Sequence, residues 1–157
     1  MSISRRALMG QAAAFTALSA LGAPAFARAA AKTPTWYGKA IVIDGLSSIS
    51  DPYAPEEQTR LSERAKAEMR ETGITALNAT IGAVGNSPGA WDETLESLKT
   101  FDSVMGANPD YLLLVRKASD IAAAKAAGKL GLIYGTQDTA MVGTSLDRLS
   151  ELKNRGV

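Results

Sequence analysis

Four short apolar runs alternate with four helix-like stretches, and this alternation constrains the fold more than any other feature of the chain. The apolar runs lie at 40–44, 74–81, 111–115 and 130–134. The stretches with helical spacing of apolar residues lie at about 56–72, 91–105, 119–127 and 144–152. Continuous apolar runs, rather than strict alternation, are typical of parallel strands buried on both faces. The pattern predicts an α/β fold of four βα units over residues 40–157.

Two architectures fit this order of elements. One is a doubly wound open sheet, and the other is half of a (β/α)8 TIM barrel, which typically needs about 250 residues. Both place function at the carboxyl ends of the strands. The glycine-rich loop at 82–89 lacks the G-x-G-x-x-G spacing of dinucleotide sites. In a half barrel the first and fourth strands are unpaired edges, so we expect the isolated chain to form homo-oligomers or to stay molten.

The composition excludes several classes of function. The chain has 157 residues, with 17 Lys and Arg against 16 Asp and Glu, and no basic patch, so nucleic acid is not an expected partner. Cysteine and histidine are both absent. Their absence rules out disulfides, a Ser-His-Asp triad and an ordinary histidine-based zinc site formed by this chain alone.

The first thirty or so residues have the pattern of an export signal. Ser4–Met9, with Arg5 and Arg6, resembles the twin-arginine motif, and residues 7–27 carry no charge. Ala25-Phe26-Ala27 is a small-x-small cleavage site. We therefore predict a signal peptide at 1–31, the twin-arginine export machinery as a partner, and a periplasmic or otherwise exported protein. If the signal stays uncleaved, 21 uncharged residues just suffice for membrane attachment.

Several motifs in the remaining chain occur together in a known order. Ile41–Gly45 is an apolar run into Asp-Gly, and Val115–Ile121 leads into Ala126–Ile133 with its Gly-Lys before a strand. The last of these motifs is Leu149 to Val157. From about residue 36 to 157 the sequence resembles the membrane (renal) dipeptidase family of zinc peptidases. The resemblance implies a (β/α)8 barrel whose N-terminal half is 40–157, after a tether at 32–39.

The resemblance also implies a two-zinc site in which the metals polarise the peptide carbonyl and activate a water. The family's first strand ends in Asp-Gly-His-x-Asp, and its two ligands fall on Leu46 and Ser48. The bridging Glu falls on Gln137. Leu46 has no lone pair, Ser48 is a weak neutral ligand, and Gln137 lacks the charge that holds two cations. No intact metal site is expected among them, and Gln137 with Asp138 is the residual candidate.

Other polar residues at the strand ends have two interpretations each. Asp44 is either a carboxylate supporting a metal ligand or an acceptor for N–H groups of its own turn. Arg116 either binds a substrate carboxylate or is a solvated surface residue. Gln137 and Asp138 either form a polar site or cap the loop before the fourth helix. Asn78 and Thr80 need hydrogen-bond partners if they point into a barrel.

Three functional hypotheses follow. The first is an exported, metal-dependent hydrolase of dipeptides, with one or two zinc ions in the full-length protein and no metal or activity in this fragment alone. Its substrate is a small peptide-like molecule, and its catalytic residues are not identified by the sequence. The alternative is a non-catalytic periplasmic binding or scaffold member of the same family. The third is a small open-sheet binding domain that is complete as it stands.

The export prediction is tested by conservative substitution of the arginine pair. Arg5→Lys combined with Arg6→Lys keeps the charge but removes the twin-arginine pattern, so the precursor should accumulate in the cytoplasm. Cell fractionation and immunoblotting measure the distribution. Export at the unaltered level would refute the twin-arginine assignment.

Overall fold

The computed structural model describes residues 34–85 and 88–157. The predicted signal peptide, including Arg5 and Arg6, and the first two residues of the predicted tether lie outside the described residues. The chain divides into two units, Met1–Pro34 and Thr35–Val157, and the second contains the fold described below. Within the described ranges, no helix is long and apolar enough to cross a bilayer.

A four-stranded parallel sheet forms the centre of the fold, and the predicted α/β class is confirmed. The strands are β1 (Ile43–Ser47), β2 (Ala76–Thr80), β3 (Leu112–Leu114) and β4 (Leu130–Gly135). The helices are α1 (Glu63–Glu71), α2 (Ala90–Ala107), α3 (Ala118–Ala126) and α4 (Asp147–Arg155), with a 3-10 turn at Ala140–Val142. Strands and helices therefore alternate as the apolar pattern predicts.

The order of the strands in the sheet is β1-β2-β4-β3, which differs from the consecutive order expected of a half barrel. β4 pairs with β2 in an unbroken register from Ala76↔Gly131 to Thr80↔Gly135, and β3 lies outside it. The edges are thus β1 and β3, not the first and fourth strands. Gly131 permits this arrangement, because a Cβ there would lie 2.9 Å from Val115 Cγ2 and 3.1 Å from Ala76 Cβ.

The strand order also decides where the helices lie. β1 to β2 and β2 to β3 advance in one direction across the sheet, whereas β3 to β4 returns. Because crossovers between parallel strands are right-handed in nearly all proteins, α3 is expected on the face opposite to α1 and α2. Ala124 of α3 is fully buried yet lies outside the main core cluster, in agreement with this placement.

The main core lies between the sheet and α2. Leu77 pairs with Leu132 across the two central strands, and both are fully buried. Leu98 of α2 is buried in the same cluster, and Phe101 meets the Tyr134 ring edge-on at 5.9 Å between centroids. One face of β2 and β4 therefore packs against α2, and the alternate residues point to the other face.

The first helix is shorter than the predicted 56–72, because its beginning is fixed by a cap. Ser62 Oγ accepts a hydrogen bond from the Ala65 backbone N–H at 3.2 Å, which starts the helix at Glu63. Asp51 accepts the N–H groups of Tyr53 and Ser62 at 2.9 and 2.6 Å. The bond between Asp51 and Ser62 closes residues 51–62 into an ordered loop.

The end of α1 agrees with the sequence and is packed against the segment expected as a tether. Gly73 follows the last turn with φ +72°, the left-handed conformation that favours glycine at a helix end. The Tyr37 ring fills the space where a side chain at Gly73 would stand, and Tyr37 Oη donates to the Thr72 carbonyl at 3.0 Å. Residues 35–39 form a turn on this surface.

The last two helices begin at other residues than the predicted stretches 119–127 and 144–152. α3 begins at Ala118, where Asp120 Oδ2 accepts the N–H groups of Arg116 and Lys117 at 2.9 and 3.1 Å. α4 begins at Asp147, because the 3-10 turn at Ala140–Val142 uses the residues before it. The Asp120 carboxylate thus sets the start of α3, and the 3-10 turn sets the start of α4.

A polar turn at residues 108–110 connects α1, α2 and β3. Asn108 is fully buried; its side-chain amide donates to the Thr59 and Val104 carbonyls at 2.7 and 2.8 Å and accepts the Leu61 N–H at 2.9 Å. The Asn108 side chain therefore joins the loop before α1 to the end of α2.

The same turn holds a buried cation. Lys66, with a fully buried side chain, lies 2.9 Å from Asp110 Oδ2 and 3.0 Å from Glu63 Oε1, and Arg60 forms a bidentate pair with Asp110. The hydrogen bond from Lys66 is the main cause that lowers the pKa of Asp110 to about 2. Asp110 is thus ionised throughout the physiological range and neutralises the lysine.

Asn108→Ala tests the importance of this turn. The change removes three hydrogen bonds and leaves the Leu61 N–H unpaired, so the free energy of unfolding should fall by about 3 kcal/mol. Urea denaturation measures it. The matched control is Asn154→Ala at an exposed helix position, which should change stability by less than about 0.5 kcal/mol. Equal effects of the two substitutions would contradict the central role of Asn108.

Candidate functional site

The first strand does not end at Asp44-Gly45 but runs on to Ser47. Its pairing with β2 is irregular between Asp44 and Ser47. Asp44 Oδ1 accepts the Leu46 N–H at 3.1 Å, which makes a local turn within the strand. The structure therefore places Asp44 in its own turn, and the predicted role beside a metal stays a prediction.

A row of neutral polar side chains crosses the carboxyl edge of three strands. Asn78 and Thr80 alternate with the core residues of β2 and so project from the opposite face. Asn78 Nδ2 donates to the Gly45 carbonyl of β1 at 3.2 Å. Gln137, just beyond β4, donates from Nε2 to Thr80 Oγ1 at 2.9 Å. We call Asn78, Thr80 and Gln137 the amide row.

One atom of the amide row is unsatisfied. Asn78 Oδ1 is buried and has no hydrogen-bond partner among the described residues. The Asn78 amide occupies the space above Gly135, where a Cβ would overlap it. A buried acceptor without a donor costs about 1–3 kcal/mol, so its retention needs a reason.

Asp138, predicted to form a residual site with Gln137, is engaged elsewhere. Its Oδ2 accepts the Gly85 N–H at 2.6 Å, and its Oδ1 accepts the Ala140 N–H at 2.9 Å. These two bonds lower the pKa of Asp138. The carboxylate joins the loop after β2 to the turn after β4, and Gln137 turns instead to Thr80. The structure does not bring the two side chains to one ligand.

Arg116 lies at the end of β3, as predicted, but contacts α4. Its Nη1 donates to the Asn154 carbonyl at 3.2 Å, in the last turn of that helix. A cation at a helix carboxyl terminus is favoured by the helix dipole. The structure thus gives Arg116 a helix-capping contact, and its predicted binding of a substrate carboxylate stays a prediction.

Leu46, Ser48 and Gln137, which the resemblance predicts at the family's ligand positions, do not fit zinc. The Leu46 side chain is apolar, and the residue is 64% exposed. Ser48 is exposed in the wall of a cavity of about 510 Å³ beside Phe101 and Val104, and Gln137 directs its amide nitrogen to Thr80. Within 34–85 and 88–157, no three His, Cys, Asp or Glu residues are placed to hold a metal.

Part of the amide row is visible in the sequence. Asn78 and Thr80, two residues apart in an apolar strand, predict one shared face. Their joining to Gly45 and to Gln137 depends on which strands are neighbours, and no local pattern reports that. The contact between Asp138 and Gly85, 53 residues apart, was missed for the same reason.

Asp138→Asn tests whether this carboxylate holds together the loop after β2 and the turn after β4. An amide oxygen accepts the Gly85 and Ala140 N–H groups less strongly than a carboxylate does. Hydrogen exchange at these two amides should become several-fold faster, as measured by mass spectrometry. Asp147→Asn, an exposed substitution in the first turn of α4, is the control and should leave exchange at Gly85 unchanged. Unaltered exchange in the Asp138 variant would contradict the assignment.

Two solved structures share this fold. An amidohydrolase from Pseudomonas aeruginosa matches with a TM-score of 0.61 at 24% identity, covering 77% of this chain and 33% of that one. The probable dipeptidase PvdM from Pseudomonas aeruginosa matches with a TM-score of 0.60 at 14% identity, covering 78% and 34%. The chain thus spans about a third of the length of these proteins. No curated protein matches it.

A family model covers nearly all of the described chain. The model for membrane dipeptidase (peptidase family M19) matches residues 36–157. These residues contain every strand and helix of the fold and the whole amide row. The chain belongs to the membrane dipeptidase family.

Proposed function

We propose that this protein is an exported hydrolase of dipeptide-like substrates, to which the described residues contribute substrate binding at the carboxyl edge of the sheet. The observation that carries the proposal is the family match over residues 36–157, which includes the strand ends where barrel enzymes place their sites. The amide row supports it, because neutral hydrogen-bonding groups stand at that edge. The Arg5-Arg6 motif supports export.

The proposal does not assign metal chemistry to the described residues. Leu46, Ser48 and Gln137 do not form a zinc site, and both oxygens of Asp138 accept backbone hydrogen bonds. The described part therefore binds and orients the substrate. Zinc dependence of the full-length protein, which the family suggests, is tested separately by metal analysis.

A second candidate function is binding without catalysis. It is favoured by the same ligand positions, where an exposed leucine and a neutral amide stand in place of charged or imidazole ligands. In that case the protein is a periplasmic binding or scaffold member of the family. The two candidates differ in turnover, not in the ligand that they bind.

Dipeptide hydrolysis by the full-length protein distinguishes the candidates. We expect hydrolysis of a panel of dipeptides, followed by chromatography, and we expect Gln137→Ala to lower kcat/KM by about tenfold through lost binding energy. Gln58→Ala is the matched control, since the Gln58 side chain bonds only the nearby Arg60 carbonyl among the described contacts. Elemental analysis of the same sample gives its zinc content. Dipeptide binding without turnover would establish the second candidate, and neither binding nor turnover would contradict both.

A further inference from the structure

We propose that a cavity at the beginning of the strands binds the phosphate group of a small ester, at a site separate from the strand-end edge. The cavity has a volume of about 310 Å³. Its described lining includes Arg70, Lys125 and Lys129 and contains no Asp or Glu. The inference stands on the placement of these three cations, on their unused hydrogen-bond donors and on the apolar wall between them.

The cavity lies at the edge of the sheet where the strands begin. Thr75 directly precedes β2, Tyr111 directly precedes β3, and Leu130 is the first residue of β4. Because the strands are parallel, their beginnings share one edge, opposite to the edge that holds Thr80 and Gln137. A ligand in the cavity is therefore remote from the edge proposed for the substrate.

Three segments distant in sequence bring the cations to this cavity. Arg70 is in the last turn of α1, Lys125 is in the last turn of α3, and Lys129 directly precedes β4. Lys125 Nζ donates to the Ala40 carbonyl at 2.7 Å. Lys129 Nζ donates to the Pro109 carbonyl at the same distance of 2.7 Å. An ammonium group has three N–H donors, so each lysine keeps two for a ligand.

Arg70 has the largest unused capacity of the three cations. Its guanidinium carbon lies 4.9 Å from the centre of the Tyr111 ring, and Tyr111 is buried. The Arg70 side chain forms no ion pair with another described residue. A planar guanidinium binds two oxygens of one phosphate group through parallel N–H donors. The ring contact therefore orients a group suited to phosphate at the cavity.

The two helix ends beside the cavity are closed without these side chains. A cation in a last helical turn often binds the free carbonyl groups there. Here the Arg70 carbonyl accepts the Gly73 N–H and the Lys125 carbonyl accepts the Gly128 N–H, both at 3.1 Å. Both glycines have positive φ, as a backbone closure requires. The side-chain donors of Arg70 and Lys125 are thus not needed to cap their own helices.

The cavity wall between the cations is mostly apolar. It is formed by Met69, Ile74, Leu130 and Tyr111, together with Thr75. Thr75 is buried, and its Oγ1 accepts the Val42 N–H at 3.2 Å, which leaves the hydroxyl hydrogen as a donor. The volume is at the lower end of the range for small-molecule sites. A small phosphate ester, free in solution or as the headgroup of an anionic lipid, fits this combination of charge, size and apolar surface.

Calorimetric titration of the full-length protein with glycerol 3-phosphate tests the site, with sodium chloride holding the ionic strength constant. We expect Arg70→Gln to weaken binding by about tenfold or more, because the bidentate charged donor is lost. Lys129→Gln is the second variant, since its amide can still donate to the Pro109 carbonyl, and it should weaken binding by a similar factor. Thermal denaturation checks that each variant is folded.

Lys153→Gln is the matched control for these two substitutions. Lys153 is also an exposed cation in the last turn of a helix, but it lies outside the cavity lining. Its substitution should leave the affinity for glycerol 3-phosphate unchanged. An equal loss of affinity in the control would show general charge attraction and would overturn the proposal.

Vesicle flotation distinguishes the two sources of the phosphate group. The vesicles contain phosphatidylcholine alone or with roughly one third of the anionic lipid phosphatidylglycerol. Glycerol 3-phosphate binding that depends on Arg70, without vesicle binding, would assign the site to a soluble ester. Binding to the anionic vesicles that Arg70→Gln weakens would assign it to a lipid headgroup. Binding of neither probe, or binding that Arg70→Gln and Lys129→Gln leave unchanged, would overturn the proposal, and none of these outcomes depends on dipeptide hydrolysis.

Discussion

The turn at residues 108–110 is the contact on which the rest of the fold depends. Asn108 fixes the loop before α1 and the end of α2 through three hydrogen bonds, and Asp110 neutralises the buried Lys66. β3 follows directly and has only three residues, too few to hold its position by pairing alone. Because an unpaired charge in a protein interior is strongly destabilising, the ion pair and the strand position must form together.

The central position of β4 links this packing to the candidate site. Gly131 lets β4 fit closely beside Ala76 of β2 and Val115 after β3. Gly135, at the other end of the same strand, leaves room for the Asn78 amide. Two glycines in one strand, each required by a neighbour's side chain, thus place β2 and β4 so that Asn78, Thr80 and Gln137 form one row.

The chemical character of this edge differs from that of a two-zinc site. The residues predicted at the family's ligand positions, Leu46, Ser48 and Gln137, have an apolar, a hydroxyl and an amide side chain. The amide is bonded to Thr80, and the adjacent carboxylate of Asp138 joins two loops. The edge therefore lies where barrel proteins place their sites, and its side chains Asn78, Thr80 and Gln137 are neutral hydrogen-bonding groups.

The sequence by itself determined the α/β class and the alternation of four strands and four helices. These features follow from burial and backbone preference of short segments, which local patterns report. The strand order, the extension of β1 to Ser47 and the beginning of α1 at Glu63 were decided only by the tertiary structure. So was the joining of Asp138 to Gly85. Each depends on hydrogen bonds and side-chain fit between segments distant in sequence, where apolar spacing carries no information about which segments meet.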